Sequence, residues 1–193
     1  MPSTLLVGLD HPRRADAEAF IQDIYNAAYG ATVNEFPSSL FVHFDDTWQI
    51  RAAAGLRTRQ DGFFSEIYLD RPVEEIISTM AGPVERDRIL EVTTLASRSP
   101  RLTPSFIRDI VAHGVDQQFS RAFFTLTRRF WSLVQHMGIA SILLADADHR
   151  RVADFQLWGR YYAHQPSVYA TRGPLFSPAP ASKPAQVGHE TLF

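Results

Sequence analysis

The chain has no cysteine, no long apolar run and no excess of either charge. Without cysteine there can be no disulfide, no thiolate metal site and no cysteine nucleophile, so any covalent intermediate would have to form on another side chain. The longest apolar runs, such as 139–145, fall far short of the ~18 residues a spanning helix requires. Positive charges in the first twenty residues follow a very short apolar run instead of preceding a long one, which does not read as a secretory signal. A cytoplasmic protein with no transmembrane segment is expected. Nineteen basic against twenty-one acidic residues give a net charge of −2 with no block of like charge, which argues against nucleic acid as an obligatory partner.

What is present is enough apolar material for one substantial core: 45% hydrophobic and 12% aromatic over 193 residues, so one domain is the default. Residues 14–29 carry Phe20, Ile24, Ala27 and Ala28 at helical spacing, with Gly30 placed as a C-cap. SLFVHF (39–44) and WQIRAAAGLR (48–57) flank the turn residues Asp45, Asp46 and Thr47 and read as an antiparallel hairpin. FFSEIYL (63–69) is dense in strand formers and reads as a third strand, with Glu66 and Tyr68 on one face. Pro72 opens a short helix that ends at Gly82.

From Arg88 to Leu144 the pattern is strand, helix, strand, helix, strand. Strands joined through a helix pair in parallel by a right-handed crossover. Their carboxyl ends then converge on one edge, the usual place for a ligand in an open α/β sheet. Thr103 and Pro104 read as N-cap and first helical residue of the intervening helix, whose buried stripe comprises Phe106, Ile107, Ile110, Val111 and Phe119. The next helix places Phe130, Trp131, Val134 and Met137 inward. The aromatic stretch 152–170 reads as a last strand or irregular hairpin closing the sheet edge. Residues 171–193, with several prolines among Ser and Ala, cannot assemble a core and are expected to form a mobile tail after a domain spanning 1–170.

This element order resembles a GNAT-like acyltransferase fold: a single α/β domain with a mixed central sheet, flanked by helices, whose two central parallel strands splay apart. The blocks RAAAGLR, FFSEIYLD, RILEVTTLAS, FFTLTRRFWSLVQHMGI, LLADAD and WGRYYAHQPSV, in this order and spacing across 25–170, resemble the thermostable hemolysin family. That family in turn resembles the acyl-homoserine-lactone synthases, which join a carrier-protein-bound acyl group to an amine. The resemblance implies that the pantetheine arm of acyl carrier protein or acyl-CoA enters the gap between Ile89–Thr94 and Ala122–Leu126. Thr93, Thr94, Leu95, Phe124 and Thr125 would line that gap, with Tyr68, Trp131 and Trp158 as further substrate-binding candidates. No permanently bound cofactor is implied. Arg57 stands where the synthases keep a strand arginine, and Glu91 where they keep a glutamate. Three departures follow. The synthases' acidic cluster after the first helix is reduced here to Glu35. Thr94 occupies the place of a synthase arginine, so the sulfonium-bearing substrate is not carried over, and Leu95–Ser99 lacks the glycine-rich pyrophosphate cradle of GNAT enzymes.

The candidate chemistry has ordinary alternatives. Glu91, in a strand buried on both faces, would have a raised pKa and suit a general base, or would pair structurally with Arg57 or Arg88. Arg57 could hold a carboxylate or phosphate through its planar fork, or pair with Glu66 or Glu91. Glu66 is the third catalytic candidate; the alternative is a solvated strand face. Arg128 and Arg129 sit in a helix's first turn, where the dipole disfavours cations. A pantetheine phosphate, an acidic carrier protein or a local carboxylate would offset that. Trp158, Tyr161 and Tyr162 could pack the sheet edge or line an acyl pocket. Asp146, Asp148 and His149 lack a second ligand group, so no metal is expected. No G-x-S-x-G elbow or correctly spaced HxxxD motif appears. Direct attack of a small amine on a fatty acyl thioester is therefore the expected reaction. A membrane-active cytolysin, as the family name implies, and a non-catalytic ligand-binding relic of the fold are the alternatives.

Overall fold

A computed structural model of the chain describes residues 3–173 and Leu175. The tail expected over 171–193 lies, beyond those positions, outside the described residues. One seven-stranded mixed sheet runs through the molecule in the order β1-β2-β3-β4-β5-β7-β6. β1 (Ser3–Val7) pairs antiparallel with β2 (Ser39–Phe44), and β2 with β3 (Ile50–Arg57). The helix α1 (Arg14–Tyr29) covers this end and buries Ala17, Phe20, Ile21 and Tyr25 against it. It stops at Gly30, whose φ of 67° lets its N–H return to the Asn26 carbonyl at 2.7 Å. Arg14, although cationic, is buried; its guanidinium donates to Glu18 at 2.6 Å and to the Pro37 and Ser38 carbonyls at 2.6 and 3.0 Å, tying α1 to the entry of β2.

The hairpin and α1 are as the sequence indicates; residues 63–69 are not. They form a 3-10 turn, Phe64–Tyr68, and β3 pairs directly with β4 (Ile89–Ser97), which leaves no ladder position for another strand there. Glu66 and Tyr68 therefore do not share a strand face. The helix α2 (Val73–Ala81) follows. β1 was not anticipated. In the crossover helix α3 (Thr103–Asp116) the cap position belongs to Leu102, not Thr103; the Thr103 hydroxyl donates instead to the Ser99 carbonyl at 3.1 Å.

β5 (Arg121–Leu126) runs parallel to β4, as the crossover requires. After α4 (Arg128–His136), β6 (Ser141–Asp146) continues in the same direction but does not pair with β5. β7 (Ser167–Thr171) lies between them, antiparallel to both. The last strand is thus interior, β6 is the edge, and 147–166 forms three 3-10 turns, His149–Arg151, Phe155–Trp158 and Tyr161–His164, in place of a hairpin. Trp158 and Tyr161 pack on the α1 side of the sheet, not along its edge.

Candidate active site

β4 and β5 pair only from Ile89 with Arg121 to Val92 with Phe124. Beyond that point β4 follows β3 and β5 follows β7, so a gap opens between the two central strands. A bulge accompanies the divergence. Ala53 pairs with Ala96 and Gly55 with Thr93, which sets the single residue Ala54 against both Thr94 and Leu95. Thr94 takes φ 45°, a conformation that a β-branched residue rarely adopts. Such bulges bend and twist the strand that carries them. Gly55 permits the close approach of Thr93, because a Cβ there would stand 2.4 Å from the Thr93 hydroxyl oxygen and 2.9 Å from Pro37.

Two cavities meet at this gap. The first, about 350 Å³, lies on the α1 side and presents Arg57, Glu35, Thr93, Thr94, Ser65 and Tyr68. The second, about 90 Å³, is walled by apolar side chains of α3, α4 and the central strands, among them Leu95, Ile107, Ile110, Phe124 and Val134. Tyr25, Val92, Thr125 and Tyr161 line both. The cavity that carries the charged and hydroxyl-bearing side chains, a polar chamber by comparison, therefore adjoins an apolar channel where the two central strands part. The Thr93 and Thr94 hydroxyls are buried and have no hydrogen-bond partner among the described residues, a condition that costs ~1–3 kcal/mol per group unless a ligand satisfies it.

Glu91 and Arg57 are direct cross-strand neighbours. Glu91 is 0% exposed and accepts the Phe64 and Ser65 backbone N–H groups at 2.7 and 2.8 Å. Burial pushes its carboxyl up; the Ser65 hydroxyl, the two N–H groups and the Arg57 charge pull it back only in part. The carboxylate lines neither cavity. Ser65 stands between it and the polar chamber, and the Ser65 oxygen in turn accepts the Thr125 hydroxyl at 2.8 Å. Arg57, half-buried, reaches only the Asp61 and Gly62 carbonyls, both at 3.5 Å, and forms no ion pair among the described residues. Arg88, the other suggested partner of Glu91, donates to Gln118 instead.

Glu66 has a different occupation. Both its oxygens bind the Arg86 guanidinium at 2.6 Å, one also accepts the Val73 N–H at 2.9 Å, and these contacts hold its carboxyl below the usual range despite burial. It lines neither cavity and clamps the 3-10 turn to α2, apart from the other two catalytic candidates, Glu91 and Arg57. Tyr68 does line the polar chamber, its hydroxyl 2.7 Å from that of Tyr162. Burial raises both phenols, and Tyr25 and Tyr161 likewise, so the aromatic wall stays neutral. Trp158 lines the same chamber, 5.8 Å ring to ring from Phe64. Arg128 and Arg129 are exposed at the start of α4 and Trp131 stacks on Tyr169, 5.8 Å away; none of the three lines either cavity. Asp148 spends its carboxylate on Arg150, which with the Arg150 N–H holds it down at about 2. No group of metal-ligating side chains occurs among the described residues.

Sequence reasoning missed Ser65, Tyr25 and Glu35 as chamber-lining residues. Ser65 was hidden by the strand reading of 63–69, since the turn is what brings its amide to Glu91 and its hydroxyl to Thr125. Tyr25 carried no signal beyond its place on the buried face of α1. Glu35 was noted only as the remnant of an acidic cluster.

No curated protein matches this sequence. Among solved structures, the chain is similar to the AHL synthase LasI at 8% identity and a TM-score of 0.61, covering 93% of this chain and 92% of that one. It is similar to FeeM, an N-acyl amino acid synthase from uncultured soil microbes, at 13% identity and a TM-score of 0.59, covering 89% and 91%. A Lactobacillus plantarum protein assigned as an N-acetyltransferase matches at 11% identity and a TM-score of 0.54, covering 90% and 98%. At such identities the likeness is one of fold, that of GNAT-like acyltransferases. The family assignment rests on sequence: residues 7–174 match the model of the thermostable hemolysins, and the chain belongs to that family.

Proposed function

We propose that the protein is an N-acyltransferase that moves a fatty acyl group from a carrier-protein or coenzyme A thioester to a small amine. One observation carries the reading: the parting of β4 and β5 after Val92 and Phe124, with a polar chamber on one side of the gap and an apolar channel on the other. A thioester carbonyl held in the gap would have its acyl chain among Leu95, Phe124 and Val134. The pantetheine arm would reach it past Thr94. An acceptor in the polar chamber would meet Arg57, whose guanidinium forms no carboxylate ion pair among the described residues and suits an acceptor that itself carries a carboxylate or phosphate. Attack needs a proton acceptor for the amine and donors at the developing oxyanion. Past Val92 the facing edges of β4 and β5 have no ladder partner, and their backbone N–H groups are the available donors. Glu91 is the proton sink.

The fold of the neighbours and the wall chemistry support this reading; the donor is chosen by experiment. Purified protein is incubated with acyl-carrier-protein and acyl-CoA panels and candidate amines, and thiol release is followed. Release that requires both a long-chain donor and an amine, and that falls ~10²- to 10⁴-fold in Glu91→Gln, supports the proposal. Undiminished activity in Glu91→Gln removes that residue from the mechanism.

A further inference from the structure

Glu91 poses a geometric problem for any acyl transfer in this gap: the strongest base candidate has no exposed surface and faces neither cavity. Its two backbone donors, from Phe64 and Ser65, close it off on the chamber side. The Ser65 side chain sits beside the carboxylate that its own amide binds, helps to pull that carboxyl down against burial, and is itself only 1% exposed. Thr125 closes the distance. Its hydroxyl donates to the Ser65 oxygen at 2.8 Å, and the residue lines both cavities, one position beyond the last β4–β5 pair.

We propose that Thr125 and Ser65 form a two-hydroxyl relay that carries the acceptor's proton from the gap to the buried Glu91 carboxylate. The proposal rests on the acyltransferase reading and deepens it. Because the Thr125 hydroxyl hydrogen is committed to Ser65, and the Ser65 hydroxyl stands beside the carboxylate that its own amide binds at 2.8 Å, the lone pairs of the Thr125 oxygen are free for a proton from the gap. As the amine nitrogen attacks the thioester carbon, the C–N bond forms and the carbonyl π pair moves to oxygen. One N–H proton passes to Thr125 Oγ1, the Thr125 proton to Ser65 Oγ and the Ser65 proton to Glu91. When the oxyanion collapses, the C–S bond breaks, and the proton returns along the same chain to the departing thiolate. The products are an amide and a free thiol. Arg57 from β3 and Tyr68 from the 3-10 turn are the charged and titratable groups that act on Glu91 from the elements packed against it, and neither interrupts the chain. Thr125 would touch substrate; Ser65 and Glu91 act through it.

The test uses the full chain and a donor–acceptor pair that the wild type turns over. Thr125→Val keeps the shape and removes the first hydroxyl; Ser65→Ala removes the second. Each is expected to lower kcat ~10- to 10²-fold, a part of the range spanned by general base catalysis, with little change in KM. Each should also abolish the rise of kcat with pH that Glu91 sets. Thr125→Ser should restore both. In H₂O/D₂O mixtures the wild type should give a bowed proton inventory and Thr125→Val a linear one, which loss of packing alone would not produce. Combining Ser65→Ala with Glu91→Gln should cost no more than the worse single change. Wild-type turnover whose rate, pH profile and inventory persist in Thr125→Val overturns the relay and leaves the acyltransferase reading standing. Absence of amine-dependent thiol release from the wild type with every donor overturns both.

Discussion

Glu91 and Glu66 titrate in opposite directions from one short stretch of structure. Burial raises the Glu91 carboxyl, so the folded chain holds that proton more tightly than the unfolded one. Its contribution to stability is fully present below the ordinary glutamate range and is lost as pH rises through the raised value. Bonds to Arg86 and the Val73 N–H lower Glu66, whose contribution is present above the ordinary range and lost as pH falls. Melting temperatures measured from pH 4 to 8 should therefore shift toward the variant in Glu91→Gln as pH rises. In Glu66→Gln the wild-type advantage should instead grow with pH, to about 1.5–3 kcal/mol for the lost charged hydrogen bonds. Slopes of the same sign in both variants would contradict these environments. Arg57→Gln makes a third test. If the guanidinium holds a carboxylate of the acceptor, KM for carboxylate-bearing amines should rise ~10- to 10²-fold, the equivalent of one charged hydrogen bond, while the decarboxylated analogues are unaffected. Equal effects on both acceptor classes would remove that role.

At the scale of elements, the β3–β4 contact controls the gap. Gly55 admits the Thr93 side chain, and the bulge at Thr94 follows immediately. Gly55→Ala is expected to destabilise by about 1–3 kcal/mol through overpacking against Thr93 and Pro37. Adding Thr93→Ala should recover part of that loss, and denaturant melts of the two variants would measure it. Additive losses would show that the Thr93 contact is not the cause. The same elements show what the sequence could say. α1 was legible because apolar spacing and a C-cap glycine agree, and the β2–β3 hairpin because a turn of Asp and Thr separates two apolar runs. Residues 63–69 were misread because strand propensity counts side chains and not vacant ladder positions. β3 pairs with β4, and the buried Glu91 takes the Phe64 and Ser65 amides that a strand would have offered to a neighbour. β7 between β5 and β6 is a non-local choice with no local signature.

Over the whole molecule, the parallel pairing of β4 and β5 was predictable from the crossover. That Arg57 and Glu91 could meet was one alternative among several in the sequence; their cross-strand pairing was not foreseen, because 63–69 was read as a strand, and neither was the withdrawal of Glu91 behind Ser65, which depends on the turn. Haemolysis, which the family description carries, would call for a membrane-inserting surface. No described helix is long and apolar enough to cross a bilayer. The most direct measurement is mass-spectrometric detection of products from purified protein, a long-chain acyl thioester and an amine, with free thiol quantified in the same reaction. Amide and thiol are expected in equal amounts, both dependent on the amine. Thiol release that is independent of the amine, or no release with any thioester, would contradict it.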